Sequence, residues 1–363
     1  MKEVQKNRIR EINLIFLITI LIAVVVPFLP LDFLSERPVL AIILSQALLA
    51  FPAVVYMLAN RLSYAETVRF KKMKFTDMLL SILFGILVQP AVTLINAISM
   101  VFSKNVTGTS ILEIAERVPF LVGVLLVAVL PAVMEETVYR GVFYNEYSKI
   151  NPLKAALLSA LMFGIMHGNI NQFCYAAVLG FIFALLVEAT GSILSTMLVH
   201  FWTNASSVVL LYIYPKIYDF AKAYYNMYKE YENETMAAML ENAFGDMTLP
   251  TKEWARQMME STANLQLTVP QVLSLYAPQA LIMGVLAFLV YKKLAIRNNN
   301  WERICACFKK QSQVPEAEPD AMAETAVLKE EPKIRMVTIP LLITLLLGIA
   351  FMIYYEILLQ RNM

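Results

Sequence analysis

The sequence predicts an all-α, polytopic transmembrane helix bundle of about eight to nine spans. Three observations carry that expectation. Hydrophobic residues make up 59% of the 363 and charged residues only 16%, against roughly 25% charged in a soluble domain. Mean hydropathy is +0.61. Apolar runs recur along the chain, each near the roughly 20 residues that a helix needs to cross about 30 Å of hydrocarbon. Spans therefore take up most of the length, leaving one membrane domain with appendages rather than about two soluble domains.

Nine candidate spans follow in order: 11–30, 39–59, 78–102, 119–148, 153–167, 171–190, 193–213, 271–291 and 337–359. The first, second and last are unambiguous. The first is too long for a signal-peptide core and no small-residue cleavage site follows it, so it is expected to be retained. In the fourth, an apolar run over 119–134 continues as a helix into charged residues. The fifth is short, and its end is expected to be buried among neighbouring helices.

The chain divides accordingly into a membrane bundle over 1–213, an extracytoplasmic helical insertion over 214–268, a further span over 269–291, a cytoplasmic linker over 292–336 and a C-terminal span over 337–363. Lys and Arg placement gives the direction. Lys2, Lys6, Arg8 and Arg10 precede the first span; Arg61, Arg69, Lys71, Lys72 and Lys74 follow the second; Lys292, Lys293, Arg297, Arg303, Lys309 and Lys310 follow the eighth. Nine alternating spans place all three clusters, and the N-terminus, in the cytoplasm. In the insertion, Ile217, Phe220, Tyr224 and Tyr228 recur at helical spacing beside Tyr225 and Tyr231. Tyrosine suits a membrane interface, where its ring is apolar and its hydroxyl wet. An amphipathic cap is favoured there over a substrate-binding lid. The stretch 311–336 mixes Pro, Ala, Glu and Lys without apolar periodicity and reads as flexible.

A net charge of +2 is uninformative about partners; no basic run interleaved with aromatics suggests nucleic-acid binding, so no nucleic-acid partner is expected, and membrane lipids are the expected surroundings. Cys174, Cys305 and Cys307 form neither a disulfide framework nor a zinc ribbon. Ordinary reduced thiols are favoured over acylation at Cys305 and Cys307, just past a span.

Ionisable groups inside spans are expensive and point to function. Here they are Glu135, Glu136, Arg140, His167, Glu188 and His200, and His167 and His200 are the two histidines of the chain. Glu136 and Arg140 stand four apart with Glu first, the favourable order for an ion pair on one helix face. Glu135 points about 100° away. Capping of an emerging helix explains Glu136 and Arg140 but not Glu135. Phe163 and His167 repeat the four-residue spacing, as do His200 and Asn204. At about 1.5 Å per residue, Glu135 lies roughly 20 Å from Lys149, His167 as far from Lys154, and His200 about 15 Å from the 188–191 turn, so the three reach one depth. Were they to meet, the set would suit hydrolysis. Glu135 could take a proton from water that His167 orients, and His200 with the Asn204 amide could donate to the oxyanion of a tetrahedral intermediate. Neither a nucleophile elbow nor HExxH is present.

Glu135-Glu136-Thr-Val-Tyr-Arg140 reads EExxxR, Phe163-Gly-Ile-Met-His167 reads FxxxH, and His200-Phe-Trp-Thr-Asn204 reads HxxxN. Each motif alone is weak, but in this order on successive spans the set resembles the CPBP family of intramembrane endopeptidases, over roughly 119–210. That family includes prenyl-protein CAAX proteases and bacteriocin-processing or immunity proteins. The resemblance implies a prokaryotic plasma-membrane peptidase without a cofactor, in which Glu135 and His167 activate water while His200 and Asn204 hold the oxyanion. It implies peptide or lipidated-protein substrates, prenylated chains and peptide precursors among them. The insertion over 214–268 and the ninth span depart from the family's core. Three alternatives stand beside this reading. Glu135, His167 and His200 could bind zinc with an open position. The bundle could be an idle peptide-binding scaffold or immunity protein. A transporter would need paired broken helices in two similar halves, and no internal repeat is visible.

Overall fold

The computed structural model describes residues 2–308 and 335–361, apart from 35, 106 and 264–266. Among these residues there are helices and no strand. In chain order those of eight residues or more are α1 (Lys2–Val25), α2 (Pro38–Ala59), α3 (Phe75–Met100), α4 (Thr107–Arg117), α5 (Phe120–Ser148), α6 (Pro152–Ile165), α7 (Ile170–Thr190), α8 (Leu194–Glu230), α9 (Glu234–Phe244), α10 (Thr251–Ala263), α11 (Val269–Arg297), α12 (Trp301–Phe308) and α13 (Ile339–Arg361). Eight of them, α1, α2, α3, α5, α7, α8, α11 and α13, are long and apolar enough to cross a membrane. The protein is an integral membrane helix bundle.

The fifth expected span is the one missing from those eight. Helix α6 has 14 residues, about 21 Å at 1.5 Å each, too short for the bilayer. It ends at Ile165, and the chain reverses inside the bundle through Gly168, whose φ of +66° is accessible without strain only to glycine. Asn169, 1% exposed, then caps α7 by accepting from the Gln172 N–H at 3.0 Å. At the other extreme, α8 has 37 residues and passes through 213 and Pro215 without a break. Its length of about 55 Å outlasts the hydrocarbon. The segment 214–268 is thus the end of α8 followed by α9 and α10. Most of the expected linker lies outside the described residues; its start forms the tail of α11 and then α12.

The basic clusters gather at one end of the bundle. Arg8 pairs with Glu146 at 3.5 Å, Arg297 with Asp77 at 2.6 Å, and Glu188 takes both Arg69 and Arg303 at 2.5 and 2.6 Å. At the opposite end α4, α9, α10 and the tail of α8 share a small core around Trp254, which stacks on Tyr218 at 4.3 Å between centroids. Tyr225 packs into that core, whereas Ile217, Phe220 and Tyr224 face outward, as an interfacial stripe would.

Lipid tails are as apolar as leucine, so close packing rather than water exclusion holds membrane helices together. Helix α7 is central to that packing. Ala176, Ala184 and Val187 join the cluster around α1, α2, α5 and α6, while Leu179, Phe183 and Leu186 join the one around α3, α8 and α11. Gly180 permits the contact: a Cβ there would lie 3.0 Å from the Ala160 Cα and 3.3 Å from Arg140 Nη2.

Candidate active site

Helix α5 carries the acidic pair and is not uniformly wound. Leu125–Val129 and Thr137–Tyr144 are π-helical, and Leu130–Glu136 between them is α-helical. Such wide turns often mark functional sites, because they re-aim side chains and free backbone groups. Pro131 adds to this. It has no N–H to offer the Val127 carbonyl one turn back, and Asn204 of α8 donates its Nδ2 to that carbonyl at 3.0 Å. The amide has a second N–H to give.

Glu136 and Arg140 form the expected ion pair at 2.9 Å, with neither side chain exposed. The Arg140 guanidinium lies 4.3 Å over the Phe163 ring and 5.1 Å from that of Phe183, a cation–π clamp. Sequence spacing did not reveal that the same Glu136 oxygen also accepts from His200 Nδ1 at 2.9 Å. The pair is therefore part of the site's own wiring and not only its support. Glu135 turns the other way. Its Oε1 accepts from Gln46 Nε2 of α2 at 3.0 Å, and its Oε2 stands 3.8 Å from His200 Nε2.

His167 lies two residues beyond α6, in the turn rather than in the helix. Its Nδ1 is 2.8 Å from the Phe163 carbonyl. A carbonyl only accepts, so Nδ1 carries the hydrogen, and in the neutral ring Nε2 keeps its lone pair. The Phe163 ring meets His167 edge-on at 4.9 Å, so the two do share a face.

Glu135, His167, His200 and Asn204 all line one cavity of about 530 Å³. Helices α3, α5, α7 and α8 wall it, and Thr107, Gly108 and Ile111 of α4 with Met259 of α10 lie at its cap end. A second cavity of about 280 Å³ opens between α1, α2 and α6. Glu135, Phe163 and His167 line both. Of the intramembrane ionisable residues, Glu188 does not join the group; it belongs to the basic end. Two residues escaped sequence reasoning. Gln46 is uncharged and stands in no motif. Glu356 is a buried carboxylate in the last span that accepts from Ser103 at 2.7 Å, and its charge in an apolar run was a legible signal. Among the described residues, no three His, Cys, Asp or Glu side chains are grouped to hold a metal ion.

Comparison with known proteins points to the same stretch. Residues 117–206 match the Rce1-like family, described as type II CAAX prenyl endopeptidase Rce1-like. The matched stretch is similar to that family over about a quarter of the chain. A protein of Bacillus subtilis (strain 168) named "Putative membrane peptidase YdiL" is 26% identical over 102 residues, 28% of this chain. The match spans 41% of that relative's own length. No solved structure matches the chain. The matched stretch holds α5 to α8 as far as 206, and with it Glu135, His167, His200 and Asn204. Gln46, the insertion and the last two spans lie outside it.

Proposed function

We propose that this protein is an intramembrane endopeptidase that hydrolyses peptide bonds of membrane-associated chains, prenylated or precursor peptides among them. The observation that carries this reading is the convergence of Glu135, His167, His200 and Asn204, from α5, the α6–α7 turn and α8, on one cavity. Water between Glu135 and His167 gives one hydrogen bond to the carboxylate and the other to the His167 Nε2 lone pair. As its oxygen adds to the carbonyl carbon, Glu135 takes the proton. The oxyanion then accepts from the free Asn204 N–H and from His200 Nε2–H. Because His200 Nδ1–H is committed to Glu136, a proton on Nε2 as well makes the ring an imidazolium. Its charge and that of Arg140 balance those of Glu135 and Glu136. When the intermediate collapses, Glu135 passes its proton to the leaving amine and the C–N bond breaks.

This chemistry asks for no metal, and the zinc alternative is tested by chelation below. We propose a prokaryotic plasma membrane on the strength of the family resemblance, with the N-terminus in the cytoplasm on the strength of the basic end of the bundle. The test is cleavage of a peptide library by detergent-purified protein, wild type beside Glu135→Ala. Cleavage by wild type alone is expected; equal cleavage by both overturns the reading.

A further inference from the structure

The cavity between α1, α2 and α6 and the larger chamber share Glu135, Phe163 and His167 in their walls, so the proposed reacting groups stand between two spaces. Both are lined largely by apolar residues. The smaller presents Ile22, Ala23, Val26, Leu48, Leu49 and Met166, and the chamber adds Gln89, Thr93, Asn96, Gln172, Thr203 and Ser207 to its apolar walls. At the shared wall, on the α2 side, stands Gln46. A carboxylate oxygen can only accept, so the atom 3.0 Å from Glu135 Oε1 is the amide nitrogen. That leaves Gln46 Oε1, a buried acceptor without a partner. In the same wall the Thr19 and Ser45 hydroxyls already donate to carbonyls of their own helices.

A peptide segment laid against apolar walls brings backbone N–H groups that are costly to leave unpaired. The attacking water already has its two acceptors in Glu135 and His167, so Gln46 Oε1 is left for such an N–H. We propose that the two cavities are the two arms of one substrate cleft, that the smaller seats an apolar segment beside the scissile bond, and that Gln46 is the positioning residue at the joint. Its Nε2 holds the Glu135 carboxylate in place, and its Oε1 accepts a backbone N–H of the apolar segment. The substrate class is therefore a chain that passes from apolar to more polar sequence at the cleaved bond. This rests on Glu135 being the base, and Gln46 itself lies outside the family match.

The experiment uses internally quenched peptides, apolar on one side of the cleaved bond and polar on the other, with full-length protein in detergent. One backbone N–H at a time is replaced by an ester oxygen. For wild type, an ester at one position in the apolar segment is expected to raise KM about tenfold. In Gln46→Met, which keeps the volume but neither donates nor accepts as an amide does, kcat is expected to fall about tenfold and that ester to have no further effect. Gln46→Asn serves as a second variant, and melting temperatures are read for both. Wild-type kcat and KM in both variants, or ester effects that are the same in wild type and Gln46→Met at every position, would overturn the proposal. Glu135→Gln run alongside separates the two claims. Turnover retained there removes the base reading on which Gln46 depends, whereas an inactive Glu135→Gln beside an unaffected Gln46→Met removes Gln46 alone.

Discussion

Glu135 and Glu136 are neighbours in sequence, but one helical step of about 100° gives them different partners. Glu136 is wholly buried between Arg140 and His200, while Glu135 faces both cavities with 14% of its side chain exposed. Glu135→Gln keeps the shape and removes the proposed base, so turnover should be lost with little change in melting temperature. Glu136→Ala leaves Arg140 charged and unpaired, and Arg140→Ala leaves the buried Glu136 with His200 as its remaining partner. Breaking a buried pair typically costs about 3–5 kcal/mol, so chemical denaturation should show both variants strongly destabilised. Glu136→Ala also releases His200 Nδ1 and should lose activity even under conditions where it stays folded. Full activity in a folded Glu136→Ala would show that His200 needs no anchor. Asn204→Ala removes the proposed oxyanion donor together with the bond to the Val127 carbonyl. Loss of such a donor typically lowers kcat about 10²–10³-fold, with KM little changed, whereas packing glue between helices is a smaller matter of about 1 kcal/mol in stability. A stable Asn204→Ala with wild-type turnover would return the residue to the scaffold. Exhaustive chelation is expected to leave activity intact; one zinc per chain by elemental analysis, lost in His167→Ala, would decide for the metal. At this scale local spacing was readable and distant pairing was not. The Glu136–Arg140 bond follows from four residues of separation, but the His200–Glu136 bond joins positions 64 apart, which no periodicity reports.

The helices that hold these groups were legible in kind and less so in extent. Hydropathy measures apolar content, so it marks where a chain meets lipid but not where a helix stops. It ended the span before the insertion at 213, although α8 carries on as an amphipathic helix to Glu230. It carried the fifth span to 167, although α6 stops at Ile165 and hands His167 to a turn, because Gly168 supplies the backbone geometry that reverses the chain. The π-wound turns of α5 leave no mark in residue spacing that could be read beforehand. Only Pro131 hints at a freed carbonyl. Packing at the centre rests on the close approach of α6 and α7 at Gly180. Gly180→Leu would drive a side chain toward Ala160 and the Arg140 guanidinium. Overpacking of this kind typically costs about 1–3 kcal/mol, and here it should also displace Arg140 from Glu136. A lower melting temperature together with reduced turnover is expected. An unchanged melting temperature would mean that α7 yields at this point and does not hold the arrangement.

At the scale of the whole molecule, the two ends of the bundle differ in charge and in build. Arg8, Arg69, Arg297 and Arg303 meet carboxylates at one end, together with Lys149 on Glu146 at 2.8 Å. The other end is the cap of α4, α9, α10 and the tail of α8, tied across by the Arg256–Glu116 fork at 2.5 and 3.1 Å. The short α6 does not disturb this arrangement, since α6 and α7 form a hairpin that leaves and returns at the basic end. Excess Lys and Arg in short loops stay in the cytoplasm, so the basic end should face inward and the cap outward. The larger chamber reaches the cap end at Met259 and Ile111, and in the proposed cleft the orientation therefore decides from which side the more polar part of a substrate arrives. Single cysteines at Lys72, Asn299 and Glu232, all exposed, test it once Cys174, Cys305 and Cys307 are replaced. With a membrane-impermeant maleimide on intact cells, position 232 should react at once, while 72 and 299 should react only after permeabilisation. Because 72 and 299 sit on different helix pairs at the same end, they must respond together. Labelling of both from outside would invert the protein and put the chamber's cap end in the cytoplasm. Labelling of one without the other would break the shared end that the Arg297–Asp77 and Arg303–Glu188 pairs define.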